Sequence, residues 1–273
     1  MKNILIPIDF SEYSENALRY AQGLFQSINC NFYLLHVNTL LNSEKKTILG
    51  KNLNGSKNVL AQLMDKTKQQ SANDNHHFYA LNEHGFFIES VKKQIEDKSI
   101  DLIAMGTKGV SGLRQKVVGS NAGDVITKVQ CNTLVIPKEI VFSKPSELAF
   151  PTDFNIFYSH SILSSITEIL HLSDGQIRIM NVSKQDQTLN SDQEQNKAYL
   201  IDFFEESFQK RFSFHTITNK NVKSAIQCFV ESRDIDMIVM VAKNLNFIQQ
   251  VLFDSIVEKI SFHTKNPFYV IHE

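Results

Sequence analysis

The sequence has almost no net charge: 28 Lys and Arg residues against 29 Asp and Glu leave −1. Nothing in that balance points to nucleic acid or an anionic membrane as partner. The basic pairs Lys45-Lys46 and Lys92-Lys93 are too short to argue otherwise and read as solvated surface. Cysteine is scarce. Cys30, Cys131 and Cys228 are far apart, odd in number and without a CxxC, which argues against a disulfide framework or a zinc site. Each is expected in or near a core as a small hydrophobe, in a reducing compartment. No stretch approaches the ~20 apolar residues of a membrane helix. The opening run MKNILIPIDF is broken by Pro7 and ended by Asp9, too short for a signal-peptide core. The expectation is a cytoplasmic protein, with no nucleic acid and no membrane among its partners. The histidines show no metal-ligand spacing, and His76-His77 is expected at the surface or a strand edge.

What is present is an ordinary soluble composition, 42% hydrophobic and 21% charged, over 273 residues, enough for two ordinary domains. An internal repeat sets the architecture. Ile4-Leu5-Ile6-Pro7-Ile8-Asp9-Phe10 matches Leu148-Ala149-Phe150-Pro151-Thr152-Asp153-Phe154 at an offset of 144 residues. Asp101-Leu102-Ile103-Ala104-Met105 matches Asp236-Met237-Ile238-Val239-Met240, and Thr133–Ile136 matches Phe268–Ile271, both at an offset of 135. Constant order with one length change marks a duplicated domain.

Each copy alternates strand and helix signals. The first predicts strands at 3–9, 31–37, 77–81, 101–106 and 132–136. Helices are predicted near 13–27, 57–70, 87–98 and 120–129. The second predicts a long helix near 193–212, with Leu200, Phe203, Phe204, Phe208 and Phe212 on one face. Another is predicted near 222–233, with Val222, Ala225, Ile226, Phe229 and Val230 together. Apolar strands alternating with helices argue a parallel sheet covered on both faces. The expected domains are 1–138 and 146–273, joined by a short linker containing Pro145 and packed as a pseudo-dimer.

In such a sheet, ligands bind beyond the carboxyl ends of the strands. There the first copy runs from Gly106 through Gly109 to Gly119-Ser120, a G-x2-G-x9-G-S pattern. Gly106 and Gly109 let the backbone bend and approach a ligand. Gly119 and Ser120 open the next helix, whose free N–H groups and dipole favour phosphate. Asn121 and Ala122 add further N–H groups. The pattern is neither a Walker A loop nor the dinucleotide fingerprint. Asp9 ends the central strand and would face the same crevice, or would cap the following turn.

With Pro7-Ile8-Asp9, His36-Val37 and the glycine pattern in place, the first copy resembles a universal stress protein domain of the ATP-binding kind. The whole chain resembles a tandem member. The resemblance implies five-stranded sheets in order 3-2-1-4-5. It implies ATP, with or without magnesium, as ligand. Asp9 would meet the adenine–ribose end, and Val37 would contact adenine through its backbone. Gly106, Gly109, Gly119 and Ser120 would cradle ribose and phosphates, with Pro7, Met105 and Asn121 lining the site. No catalytic residue and no metal ligand is assigned.

The second copy lacks the pattern: Val241, Asn244 and Asp254 stand where the three glycines do, and only Asp153 and Ser255 survive. A carboxylate at a helix start repels phosphate. Nine of ten glycines precede residue 142, whereas fourteen of twenty phenylalanines lie at or after Phe142, so apolar bulk has replaced backbone freedom. Core and inter-domain packing is the plainer use of these rings, an apolar binding surface the sharper one. The functional expectation is a nucleotide-binding regulatory protein of the stress response, with an unknown protein partner. Alternatives are a nucleotide-free scaffold or a slow ATPase. Both a monomer and a homodimer remain open.

Overall fold

The computed structural model describes residues 1–38, 53–107, 120–183, 188–243 and 266–273. The chain divides into two units. One comprises Met1–Thr107 and Asn121–Phe142, and the other takes in Ser143 to Glu273.

Unit one follows the order β1 (Lys2–Pro7), α1 (Glu12–Leu24), β2 (Cys30–Asn38), α2 (Leu53–Gln70), β3 (His76–His84), α3 (Phe87–Lys98), β4 (Leu102–Thr107), α4 (Ser120–Lys128) and β5 (Thr133–Pro137). Its strands lie β3-β2-β1-β4-β5, and every described pairing is parallel. Unit two repeats this with β6 (Glu147–Pro151), α5 (His160–Ser173), β7 (Gln176–Ser183), α6 (Ser191–Ser207), β8 (Phe212–Thr218), α7 (Val222–Ser232), β9 (Met237–Val241) and β10 (Phe268–Ile271). Its order is β8-β7-β6-β9-β10, again parallel. Both units are therefore doubly wound, in order 3-2-1-4-5.

The central strands are apolar because helices cover both of their faces. Ile4, Leu5, Ile6, Leu102, Ile103 and Ala104 have no exposed surface, nor do Leu148, Ala149, Met237, Ile238, Val239 and Met240. The repeated aspartates have a structural use. Asp101 accepts from the Asn3 N–H at 2.7 Å and donates its own N–H to the Asn3 carbonyl at 2.9 Å. Asp236 accepts from the Ser146 and Glu147 N–H groups at 2.8 and 3.0 Å and donates to the Glu147 carbonyl at 2.8 Å. Each ties the entry of the fourth strand to the start of the first, at the end of the sheet opposite the crevice.

Several expectations need correction. The long helix of unit two ends at Ser207, not 212. Lys210 turns the chain with a φ of 69°, and Phe212 already belongs to β8. The phenylalanine spacing continues past the helix because Phe204 meets rings from the next strand, Phe212 at 5.5 Å and Phe214 at 6.5 Å. These rings pack within unit two, the plainer of the two uses. In α7 it is Lys223, not Val222, that is buried with Ala225, Ile226, Phe229 and Val230. Strand β3 is longer than 77–81, because as an edge strand it carries polar residues that hide its ends from an apolar count. His76 begins that edge strand, but its ring turns inward. It is buried, with Nε2 3.2 Å from both the Phe25 and Ile28 carbonyls. Cys30 and Cys131 are buried as expected, and burial, aided by Asp101, pushes the Cys131 thiol up to about 12. Cys228 is exposed on α7.

Candidate functional site

In unit one the candidate site is the carboxyl ends of β1, β2 and β4, where ligands of such sheets bind, around the turn that follows β1. The strand stops at Pro7, two residues short of Asp9. Ile8 still donates its N–H to the Leu35 carbonyl at 2.7 Å. Asp9 is exposed, and its Oδ1 accepts from the Ser11 N–H at 3.1 Å and from the Ser11 hydroxyl. This is an Asx turn, in which a short acceptor side chain bonds the backbone two residues ahead. Phe10, between them, has a φ of 62°. That left-handed conformation is uncommon for a bulky residue and persists only when surrounding contacts hold it. Ser11 then caps α1, accepting from the Ser14 N–H at 3.4 Å, with Glu12 and Glu15 in the first helical turn.

Burial raises the Asp9 pKa, but the hydrogen bonds from Ser11 and Ser14 outweigh it, and the carboxyl sits below its ordinary 3.8. It is a carboxylate at neutral pH. Among the described residues, no group of three His, Cys, Asp or Glu side chains could hold a metal ion.

The register decides which side chains share a face. Pro7 pairs with Leu35, so Val37, two residues on, lies on the face of Pro7. Leu5 pairs with Ile103, which places Met105 there too. Pro7, Val37 and Met105 thus come together at the ends of three adjacent strands. Gly106 lies on the opposite face, under α1. A Cβ there would meet the Tyr13 carbonyl oxygen at 2.4 Å and its carbon at 2.7 Å. The close approach that excludes a side chain at Gly106 is therefore made by the protein's own helix. Asn121 is exposed in the first turn of α4. Ser120 opens that helix. Gly109 and Gly119 lie outside the described residues, as do Asn244, Asp254 and Ser255.

Unit two repeats the turn and then closes it. Asp153 Oδ1 accepts from the Asn155 N–H at 3.1 Å, and Phe154 has a φ of 57°. The carboxylate thus survives without the glycine pattern because the turn itself uses it. Beyond the turn the copies diverge. Relative to its strand, α5 starts one helical turn later than α1, at His160. The added segment buries Tyr158 completely, its hydroxyl 2.7 Å from Thr152 Oγ1. Val241 is buried at the position of Gly106. Helix α6 covers the turn: Gln193 Nε2 donates to the Asp153 carbonyl at 2.7 Å and Asn196 Nδ2 to the Phe154 carbonyl at 2.9 Å. A capping box between Asn190 and Gln193 fixes the start of α6.

Sequence reasoning missed one polar contact in each unit. His36 Nδ1 lies 2.8 Å from the Ile8 carbonyl, and Asn181 Nδ2 donates to the Thr152 carbonyl at 3.0 Å. Aligning β2 with β7 residue by residue would have paired these two positions.

Comparison with known proteins agrees with this architecture. The chain matches the model of the universal stress protein family over residues 1–137 and 163–272. It is 27% identical over 145 residues to universal stress protein MJ0531 of Methanocaldococcus jannaschii, covering 50% of this chain and 82% of that protein. It is 28% identical over 159 residues to universal stress protein MJ0577 of the same organism, covering 50% of this chain and 96% of that one. The crystal structure of a universal stress protein from Archaeoglobus fulgidus shares the fold across 99% of this chain and 96% of its own, with a TM-score of 0.70 at 16% identity. With the repeat, the strand order repeated in both units and the duplicated turn, these matches establish that the chain belongs to the universal stress protein family and carries two of its domains in tandem.

Proposed function

We propose that the first domain, residues 1–138, binds ATP in the crevice at the ends of β1, β2 and β4, and that the second, 146–273, does not. The reading is supported above all by the run from Gly106 to Ser120, which joins the end of β4 to the first turn of α4. A helix start at the carboxyl edge of a parallel sheet presents unpaired N–H groups to a phosphate. Pro7, Asp9, Val37, Met105 and Asn121 would line the site, Gly109, Gly119 and Ser120 would hold the phosphates, and magnesium would accompany them. Gly106 contributes its backbone, since its Cα is pressed against α1. In the second domain Val241 stands at the strand end, and the turn at Asp153 is covered by Gln193 and Asn196. The role is regulatory: nucleotide occupancy of one domain alters the choice of protein partner in a cytoplasmic stress response.

The test is calorimetric titration of the purified chain with ATP, alongside a Gly119→Asp variant that copies the charge of Asp254. The expected result is one site per chain in the wild type. In the variant, affinity should fall by at least ~10-fold, since a like charge near 4 Å costs about 1 kcal/mol in water and several in a partly buried site. Wild-type protein that neither retains nucleotide on purification nor binds it in the calorimeter overturns the reading. Turnover of ATP would appear in the same samples as released phosphate.

A further inference from the structure

Two different side chains make the same hydrogen bond in the two domains. Ile8 and Thr152 hold equivalent places, each immediately before the Asp of the Asx turn. Each donates its own N–H to the neighbouring strand, to Leu35 at 2.7 Å and to Met180 at 2.9 Å. Each carbonyl faces a buried polar side chain near the end of that strand, His36 in one and Asn181 in the other. Pairings Ile4–Phe32 and Leu148–Ile177 put His36 and Asn181 at the same register position. A carbonyl can only accept, so His36 carries its proton on Nδ1. The His36 ring also packs on Phe10, centroids 4.5 Å apart, and Phe10 is the left-handed residue.

A left-handed Phe is strained and needs support from its surroundings. In both domains the bond reaches the carbonyl two residues before the left-handed Phe, through an imidazole or an amide. We propose that His36 is the positioning residue of the nucleotide crevice: it holds the Ile8–Ser11 turn so that Asp9 stays at the crevice mouth. Asn181 holds the equivalent turn in the second domain. What the position requires is a donor that reaches the carbonyl, not an imidazole. The ligand half of this inference rests on the proposed nucleotide site, and the turn half does not.

The experiment compares wild type with His36→Asn and His36→Leu in the full chain. ATP affinity is read by calorimetry, and backbone amide exchange over residues 8–14 is read without ligand. His36→Asn, which imports the second domain's solution, should bind within about 2-fold of wild type and keep the turn amides protected. His36→Leu should weaken ATP about 10-fold, the scale of one buried hydrogen bond, and expose the turn to exchange. If His36→Leu does not fold, His36→Ser replaces it, its hydroxyl being too short to reach the carbonyl. Leu or Ser matching wild type in both readouts overturns the proposal. So does His36→Asn failing as badly as Leu, because the ring and not the bond would then matter. Wild type that does not bind ATP overturns the nucleotide reading and the ligand half with it. The exchange pattern then supports or overturns the turn half alone.

Discussion

Replacing Gly106 by Ala separates a structural glycine from a ligand-binding one. The added Cβ would lie 2.4 Å from the Tyr13 carbonyl oxygen, 2.7 Å from its carbon and 3.1 Å from its Cβ. Unstrained carbon contacts lie near 3.5–4.0 Å, so the overlap approaches a full ångström. Two of the three atoms are backbone, which cannot rotate aside as a side-chain tip can. Relief requires the first turn of α1 to slide away from β4, carrying the Ser11 cap with it. Overpacking of this kind costs about 2 kcal/mol. In a chain of this size that lowers the melting temperature of the first domain by roughly 4–8 °C. Circular dichroism melts, with urea titration as a second measure, read the shift. Gly55→Ala is the internal control: a Cβ there meets nothing within 4 Å, and the residue lies inside α2. Its stability should hold or rise by about 0.5–1 kcal/mol. A Gly106→Ala protein that melts with wild type refutes the packing argument. If it also lost ATP binding, the glycine would belong to the ligand after all.

Asp9→Asn keeps an acceptor but removes the charge. Because the folded carboxyl lies below 3.8, its bonds stabilise the protein above that pH, and the contribution fades as pH falls through the lower folded value. Urea midpoints should show wild type ahead by a few tenths to about 1 kcal/mol at pH 7, with the gap narrowing near pH 3; an equal gap at both pH values contradicts this. Tyr158→Phe removes a fully buried hydroxyl and leaves Thr152 Oγ1 with the Phe154 N–H at 3.0 Å. The expected loss is about 1 kcal/mol in the second domain, with no change in ATP affinity; an unchanged melt would show the bond to be worth nothing net.

Much of the fold was legible because apolar periodicity is a local property. Strands buried on both faces read as unbroken apolar runs, and the duplication showed in the Pro-x-Asp-Phe and Asp-apolar segments. Edge strand β3 was cut short, since half-buried strands carry polar residues. The end of α6 was overrun, since Phe204, Phe212 and Phe214 form one cluster from two elements and so mimic a longer helix. Motif position singles out Pro7, Val37 and Met105, and the register brings them to one face. Gly106 is constrained by the Tyr13 backbone, which the motif does not show. A glycine's vacancy can face a ligand or a helix, and the chain order alone does not say which.

The glycine pattern was where the two copies first parted, and the sequence by itself determined that asymmetry. It also determined the repeat, the strand–helix order and the parallel sheets, because each depends on residues close along the chain. Tertiary structure decided what the conserved and altered positions do. Asp9 and Asp153 both serve an Asx turn. Phe10 and Phe154 both take left-handed backbone. His36 and Asn181, unlike in chemistry, answer equivalent carbonyls, those of Ile8 and Thr152. Tyr158 is buried ahead of a later helix start, and Val241 is buried where Gly106 stands. The turns are local bonds that apolar periodicity does not register, and the His36 and Asn181 contacts join residues far apart in the chain; all depend on atoms within about 3 Å, the range at which a hydrogen bond forms.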